Sequence, residues 1–484
     1  MNNKIVVVGV NHAGTSAIKT LLVENPNLQV VGIEKNDNTS FLGCGIALAV
    51  GGVVQDPTTL FYSNAAELES LGAKIHMKHQ VVEVNYQQKF VVVKNLVDDS
   101  TFQESFDTLI YAGGSWPIIM PFHKPEYKGI KLCKSYAQAL QLIEDAKTSD
   151  IKNVTILGAG YIGIELTEAF AHAGGKNVTL IDMENRIMPR YFDTEFTDQV
   201  EEKMRAEGIN LVMSSKVVEL LVDNDNNVTG LRAENCETKA ITEVQADLVI
   251  SCVGFFPQTS LLTNAVPNLL LSRNKAIAVN QYAQALDTNH QPVPGIYVIG
   301  DAAAAYYAPT KTHENVALAT NAVKLGAVAA SHINSQLNPV LGQIKLESIA
   351  GSNAICVFDF AYASTGLSHE GAKRLGLEVD SFFHEANDRC EFMNVYAPVR
   401  IKLVWEKNTM RLLGAQIGSP RKDSHAESIF VLALAIQKNM TIFDLLTLDF
   451  FFLPHLNKPL NFVLYSAIRA LGLKFRDHNY LTKQ

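Results

Sequence analysis

The sequence predicts an α/β protein with two Rossmann-like parallel-sheet units, followed by further strands and helices beyond residue 330. Three observations carry this expectation. An apolar strand, Lys4 to Val8, ends on a glycine turn at Gly9-Val10-Asn11-His12-Ala13-Gly14. The same grammar restarts at Gly158-Ala159-Gly160-Tyr161-Ile162-Gly163, 149 positions later. Each turn precedes a helix pattern and a second strand closing on an acid, which is the order of a nucleotide-binding half.

In the first unit the helix pattern runs through Ala17, Leu21 and Leu22, and residues 29 to 33 form the strand that closes on Glu34. Its turn is degenerate, because Asn11 stands where a middle glycine is expected. Glu34, 25 residues after Gly9, is placed to take the ribose of a bound dinucleotide. In the second unit Val154 to Leu157 is strand-like, Ile164 to Ala173 helical, and Val178 to Ile181 the next strand, ending on Asp182. Gly158 serves the tight turn, Gly160 the close approach of pyrophosphate, and Gly163 the packing of helix on strand. The helix N-terminus offers free N–H groups to the phosphates. Asp182, 24 residues after Gly158, would bond both ribose hydroxyls and repel a 2′-phosphate, favouring NADH over NADPH.

Gly295 to Asp301 reads as another strand ending on an acid, with a helix through Val316 to Ala330. Asp301 suits either a simple helix cap or an acceptor for a flavin ribityl hydroxyl. Asn334 to Pro339 reads as a linker. Beyond it come strand patterns near 355 to 360 and 400 to 416 and an apolar helix pattern at 426 to 437.

At 484 residues the chain is too long for one core. A net charge of −8 argues against nucleic acid or an anionic membrane as partner. No apolar run reaches the ~18 to 20 residues of a membrane span. The short apolar start, Met1 to Gly9, is better explained as a first strand than as a signal peptide, so a cytoplasmic location is expected.

The six cysteines, at 44, 133, 236, 252, 356 and 390, show no spacing for a disulfide framework or a metal site. Five are read as small buried hydrophobes. Cys44 is set apart by its place between Gly43 and Gly45, ahead of the apolar run Ile46 to Val50. In the first turn of a helix its thiolate would be stabilised by the dipole. Positions 47 and 49, where a second redox cysteine would fall, are both alanine, so a dithiol cycle within this motif is excluded. One thiol can instead cycle through sulfenic acid. His12, at the start of the first helix, is read either as a residue bonded to the backbone or as a hydrogen-bond or charge partner of that thiolate.

These features resemble the NADH oxidase/NADH peroxidase group of single-cysteine flavoproteins. The likeness rests on His12-Ala13-Gly14-Thr15, Ser40 to Leu48, Phe61-Tyr62-Ser63, Gly158 to Ile164, Tyr191 to Asp198, Leu318 to Ala322 and Asp449 to Phe452, which span nearly the full length. It implies an FAD-binding domain at 1–120 and 250–330, an inserted NAD-binding domain at 121–249, and an α+β dimerisation domain at 331–484. It further implies a homodimer or homotetramer in which that last domain completes the partner's site.

By matching position, the resemblance places FAD contacts at His12, Ala13, Glu34, Cys44, Val81, Ala112, Ser115, Lys134, Asp301, Leu318, Ala319 and Thr320. NADH contacts fall at Ile162, Asp182, Tyr191 and Gly254. Tyr161 is similar to the ring that covers the flavin, with Glu165 one turn further along facing the same pocket. The expected reaction passes hydride from NADH to FAD and reduces O2 to water, with Cys44 alternating between thiolate and sulfenic acid. His12-Ala13-Gly14-Thr15 and Gly45-Ile46-Ala47-Leu48 look like the oxidase form. A peroxidase consuming H2O2, a reductase of coenzyme A disulfide or polysulfide, and a flavin-bound redox sensor remain as other readings. The group's usual Arg-Pro-Asn run after Gly254 is Phe256-Pro257-Gln258 here. Gly114 and Trp116 are further departures.

Overall fold

The computed structural model describes residues 3–473. The segment expected at 331–484 therefore ends partly outside the described residues. The first sheet has six strands in the spatial order 284–286, 292–298, 108–111, 4–8, 29–34 and 74–77. Lys4–Val8 lies at its centre, parallel to Gln29–Glu34 on one side and Thr108–Tyr111 on the other. Ile5, Val6 and Val7 are wholly buried, which is why this strand reads as an unbroken apolar run rather than an alternating one.

The second sheet is parallel throughout, in the order 210–212, 177–181, 153–157, 248–251 and 130–132. Its strand Leu248–Ser251 carries this unit two residues past the expected limit of 249. The third sheet is antiparallel, ordered 353–357, 360–366, 412–420, 398–406 and 379–387. The helices Ile429–Gln437 and Phe462–Ala470 pack their apolar sides against it. Among the described residues no helix is long and apolar enough to cross a membrane.

Two expectations about the middle of the chain are corrected. The helix expected from Val316 runs from Ala319 to Leu337. The Asn315 side chain donates to the Asp301 and Ala303 carbonyls at 2.9 and 2.8 Å, and the Leu318 N–H closes a tight turn on the Val316 carbonyl at 2.9 Å, so the helix starts only after Leu318. The expected linker at Asn334 to Pro339 is helical as far as Leu337. Asn334 is fully buried and donates to the Leu21 carbonyl and the Glu24 carboxylate of the helix His12–Glu24. Its polarity serves a helix–helix contact and not solvent.

Candidate active site

In the first turn, Gly9 has φ +91°, and a Cβ there would meet the Ala112 carbonyl oxygen at 2.3 Å. Only glycine lets the strand ends at Val8 and Ala112 approach so closely. The Ala112 N–H donates to Val8 at 2.8 Å across the same gap. Asn11 is exposed and makes no side-chain capping bond. Glu34 is buried; its Oε2 accepts the Val10 N–H at 2.7 Å and its Oε1 the Asn36 N–H at 2.9 Å. The acid read as a ribose ligand thus also holds the turn, with lone pairs left for hydroxyls.

Two helix N-termini converge on Gly300 and Asp301. A Cβ on Gly300 would lie 3.1 Å from Ala13 and 3.9 Å from Ala322, and one on Gly326 would meet the Ala13 carbonyl at 2.3 Å. His12–Glu24 and Ala319–Leu337 therefore cross in close contact, with Leu318, Ala319 and Thr320 at the start of the second helix. Such paired N-termini suit a pyrophosphate. Asp301 Oδ2 accepts Ser115 Oγ at 2.6 Å and Lys134 Nζ at 3.3 Å. Lys134 also lies 4.4 Å from the Phe255 ring centroid. Val81, on the strand His79–Asn85, is buried in the core it shares with the first sheet. The close backbone contacts, convergent helix ends and Ser115–Lys134–Asp301 group fit a dinucleotide with a polyhydroxyl chain such as FAD.

His12 Nδ1 and the Tyr62 hydroxyl are 3.0 Å apart, and the two rings stack with 5° between their planes. Burial pushes His12 below its ordinary value, opposed by Asp301 and reinforced by Lys134. Burial also pushes the Tyr62 hydroxyl up to about 12. Burial thus favours the uncharged imidazole, and with it the hydrogen-bond reading of His12 over the charge-partner one.

The Cys44 loop is anchored by aromatic contacts of Phe41 with Phe61, at 5.5 Å, and of Phe61 with Tyr136, at 4.8 Å between centroids. Leu42 N–H donates to the Leu60 carbonyl at 2.9 Å. Ser40, held at φ +57°, exchanges hydrogen bonds with Ser63. Residues 60–63, which run on from the 3₁₀ turn Pro57–Leu60 and pair with the Cys44 loop through a single Phe41–Phe61 bridge, thus link that loop to Tyr62 and His12. Cys44 itself is exposed in a short 3₁₀ turn, Gly43–Gly45, leading into the five-residue helix Ile46–Val50.

The expected dipole-lowered thiol is corrected. Desolvation by the flanking protein pushes the Cys44 thiol up, a backbone hydrogen bond pulls it down, and Glu165 pushes it up again. A five-residue helix supplies little dipole against those effects. The expectation for the other cysteines also needs correction. Cys133 is buried, Cys236, Cys252 and Cys390 are half-buried, and Cys356 is exposed on its strand.

In the second turn a Cβ on Gly158 would meet the Cys252 carbonyl at 2.5 Å, and one on Gly163 the Gly158 carbonyl at 1.8 Å. A Cβ on Gly160 would meet nothing within 4 Å, so this position faces the open side of the cradle. Asp182 Oδ2 accepts the Ala159 N–H at 2.5 Å and its Oδ1 the Glu184 N–H at 2.8 Å. Asp182 and Glu34 thus clamp equivalent amides in the two units. Ile162 is half-buried in the first turn of the helix Tyr161–His172. The Gly254 carbonyl accepts the Ile118 N–H at 3.0 Å.

Tyr161 and Tyr191 lie together, with 4.4 Å between ring centroids, and the Tyr161 hydroxyl donates to Asn353 Oδ1 of the third sheet. Burial, with Glu168 adding to it, pushes Glu165 up to about 7. Sequence reasoning assigned no role to Asn353 or to Tyr62, since no spacing marks either one. The third sheet is fastened here by Asp193, which is buried and accepts the His369 N–H at 2.9 Å, the Glu370 N–H at 3.1 Å and Gln416 Nε2 at 2.8 Å.

Two dinucleotide cradles with one exposed thiol between them define a two-nucleotide oxidoreductase. Residues 3–326 match the family model for pyridine nucleotide-disulphide oxidoreductases, and residues 352–461 that family's dimerisation domain. The chain belongs to this family. It is similar to the NADH oxidase of Mycoplasma genitalium, 44% identical with 98% of each chain covered. It is also similar to the NADH oxidase of Enterococcus faecalis, 42% identical with 97% of this chain and 99% of the other covered. Among solved structures it resembles the water-forming NADH oxidase from Lactobacillus brevis bound to NADH. That match has a TM-score of 0.87 and 38% identity, covering 97% of this chain and 98% of the other.

Proposed function

We propose that the protein is an FAD-dependent NADH oxidase that reduces O2 to water, with Cys44 as its redox thiol. The observation that carries this reading is the single exposed sulfur held on a strained, anchored loop between two dinucleotide cradles, beside Glu165 and the Lys134 segment. FAD would be held by Glu34, Ser115, Lys134, Asp301 and the two helix N-termini, and it supplies two-electron acceptance from NADH and reactivity with O2.

The chain's own groups do the rest. Asp182 orients the adenosine ribose of NADH, and the Tyr161 and Tyr191 rings border the place for the nicotinamide. The His12–Tyr62 pair, neutral and polar, offers a hydrogen bond toward the redox centre. Two electrons of a first NADH and one proton bring O2 to the level of hydrogen peroxide. Cys44 in thiolate form then takes one of its oxygen atoms and, with a second proton, becomes a sulfenic acid as the other oxygen leaves as water. Two electrons from a further NADH and a proton return it to thiol with loss of a second water. The balance is O2 + 2 NADH + 2 H⁺ → 2 H2O + 2 NAD⁺.

An oxygen electrode tests this directly. The expected trace consumes NADH and O2 in a two-to-one ratio and shows no oxygen return when catalase is added. A one-to-one ratio with catalase-dependent oxygen return would overturn the water-forming step. Turnover only with H2O2, or only with coenzyme A disulfide or polysulfide, would overturn the oxidase itself.

A further inference from the structure

A cleft of about 480 Å³ opens beside Asp182, lined by Met183, Glu184, Cys236, Glu370, Lys373 and Arg374 among others. It lies beyond the carboxyl ends of the parallel strands Asn177–Ile181 and Asn210–Val212, where an open α/β sheet receives the adenosine of a dinucleotide. Its far wall is the short helix His369–Arg374, which the third domain supplies.

Glu184 stands at the junction. Its N–H is held by Asp182 Oδ1 at 2.8 Å, so it is anchored to the carboxylate assigned to the ribose. Its own Oε2 lies 3.4 Å from Arg374 Nη1. The guanidinium is fixed from its other end, because Arg374 Nη2 donates to the Pro189 carbonyl at 2.8 Å. Among the described residues Lys373, the neighbour of Arg374 on this helix, has no carboxylate within 4 Å, whereas Glu370 is already paired with Arg186 at 2.7 Å.

We infer that Glu184 is a specificity-determining residue which masks a latent phosphate site formed by Arg374 and Lys373. With Glu184 present, a 2′-phosphate on the ribose meets two carboxylates, and the nearest guanidinium is engaged. Without it, Arg374 keeps its place through Pro189 and presents its free edge to the phosphate, which a planar guanidinium binds well. Discrimination against NADPH then comes from repulsion as well as from the ribose hydrogen bonds. A helix of the third domain would thereby set which pyridine nucleotide the second unit accepts.

The inference rests on the oxidase reading for its setting but is tested without turnover. Calorimetry on the holoenzyme compares 5′-ADP with 2′,5′-ADP as binding probes. Glu184→Gln should raise the affinity for 2′,5′-ADP relative to 5′-ADP by about tenfold, the ratio that about 1.4 kcal/mol gives. Glu184→Gln with Arg374→Gln should cancel that gain, while Arg374→Gln alone should change the ratio little. A ratio unmoved by Glu184→Gln, a gain that survives loss of Arg374, or equal loss of both probes would overturn the inference. Failure of the oxidase reading would appear instead as absent NADH-dependent oxygen uptake with these binding results intact.

Discussion

Glu165, on the helix that follows the second glycine turn, pushes up the Cys44 thiol on a loop of the first unit. The two nucleotide units therefore meet electrically at the sulfur. Glu165→Gln removes a negative charge from that neighbourhood and should make the thiol more acidic. Alkylation of Cys44 by iodoacetamide near pH 8 should speed up roughly threefold, since the thiolate is the reacting form. An unchanged pH profile of alkylation would show that Glu165 does not act on Cys44.

The same carboxyl makes stability depend on pH. Its value in the folded chain, about 7, lies above the ordinary 4.5, so unfolding releases a proton between those values. Stability linked to Glu165 is complete below pH 4.5, declines as pH rises, and is gone above pH 7, a total of about 3 kcal/mol. Denaturant melts of apoprotein at pH 5 and pH 8 should show the wild type losing that much relative to Glu165→Gln. Parallel behaviour of the two proteins would contradict the burial argument.

Much of this site was legible in the sequence because turns and strand ends impose steric rules that particular residues satisfy. Gly9, Gly158 and Gly163 are forced by carbonyl oxygens lying where a Cβ would be, and Glu34 and Asp182 by the amides they clamp. Tertiary partners were not legible. Nothing near position 12 announces Tyr62, and nothing in the Tyr161 turn announces Asn353, which lies 192 residues away. Asn334 looked like linker for the same reason, because the helix it serves is 310 or more positions earlier in the chain. Cys44 was read as a lone redox thiol, and the structure sets it exposed on its turn, but its acidity depends on neighbours that no local motif encodes.

Lys134 supplies the positive charge facing Asp301, with Ser115 3.1 Å from its ammonium. Lys134→Met keeps the length of the stem and removes the charge. Asp301 then faces bound FAD without its counter-charge, at a cost of about 1.5 to 3 kcal/mol, or roughly tenfold to a hundredfold in FAD affinity. Flavin fluorescence released on dilution measures this. Retention of FAD at wild-type strength would remove Lys134 from the cofactor site.

Cys44→Ser leaves the loop anchors at Phe41, Phe61 and Ser40 intact while removing the oxygen-accepting sulfur. The variant should keep its bound flavin and still oxidise NADH. Its product should change from water to H2O2, giving one NADH per O2 and oxygen return on addition of catalase. Water as the only product of the serine variant would dismiss Cys44 as the redox thiol.

Gly160 and Gly163 lie three residues apart but answer to different constraints, and a paired substitution separates binding from folding. A Cβ at 163 would stand 1.8 Å from the Gly158 carbonyl, with the turn and helix fixed on both sides. Gly163→Ala must therefore move the helix Tyr161–His172 off its strand and should lower the melting temperature by several degrees, as a loss of about 1 to 3 kcal/mol would. At 160 the backbone is extended, with φ −79° and ψ −173°, and no protein atom lies within 4 Å of a Cβ. Gly160→Ala should melt like the wild type. Its methyl group instead occupies the open side of the cradle, where the pyrophosphate of NADH would approach, so KM for NADH should rise about tenfold or more. Equal melting losses in both variants, or an unchanged KM in Gly160→Ala, would mean that the second turn is a packing device and the dinucleotide binds elsewhere.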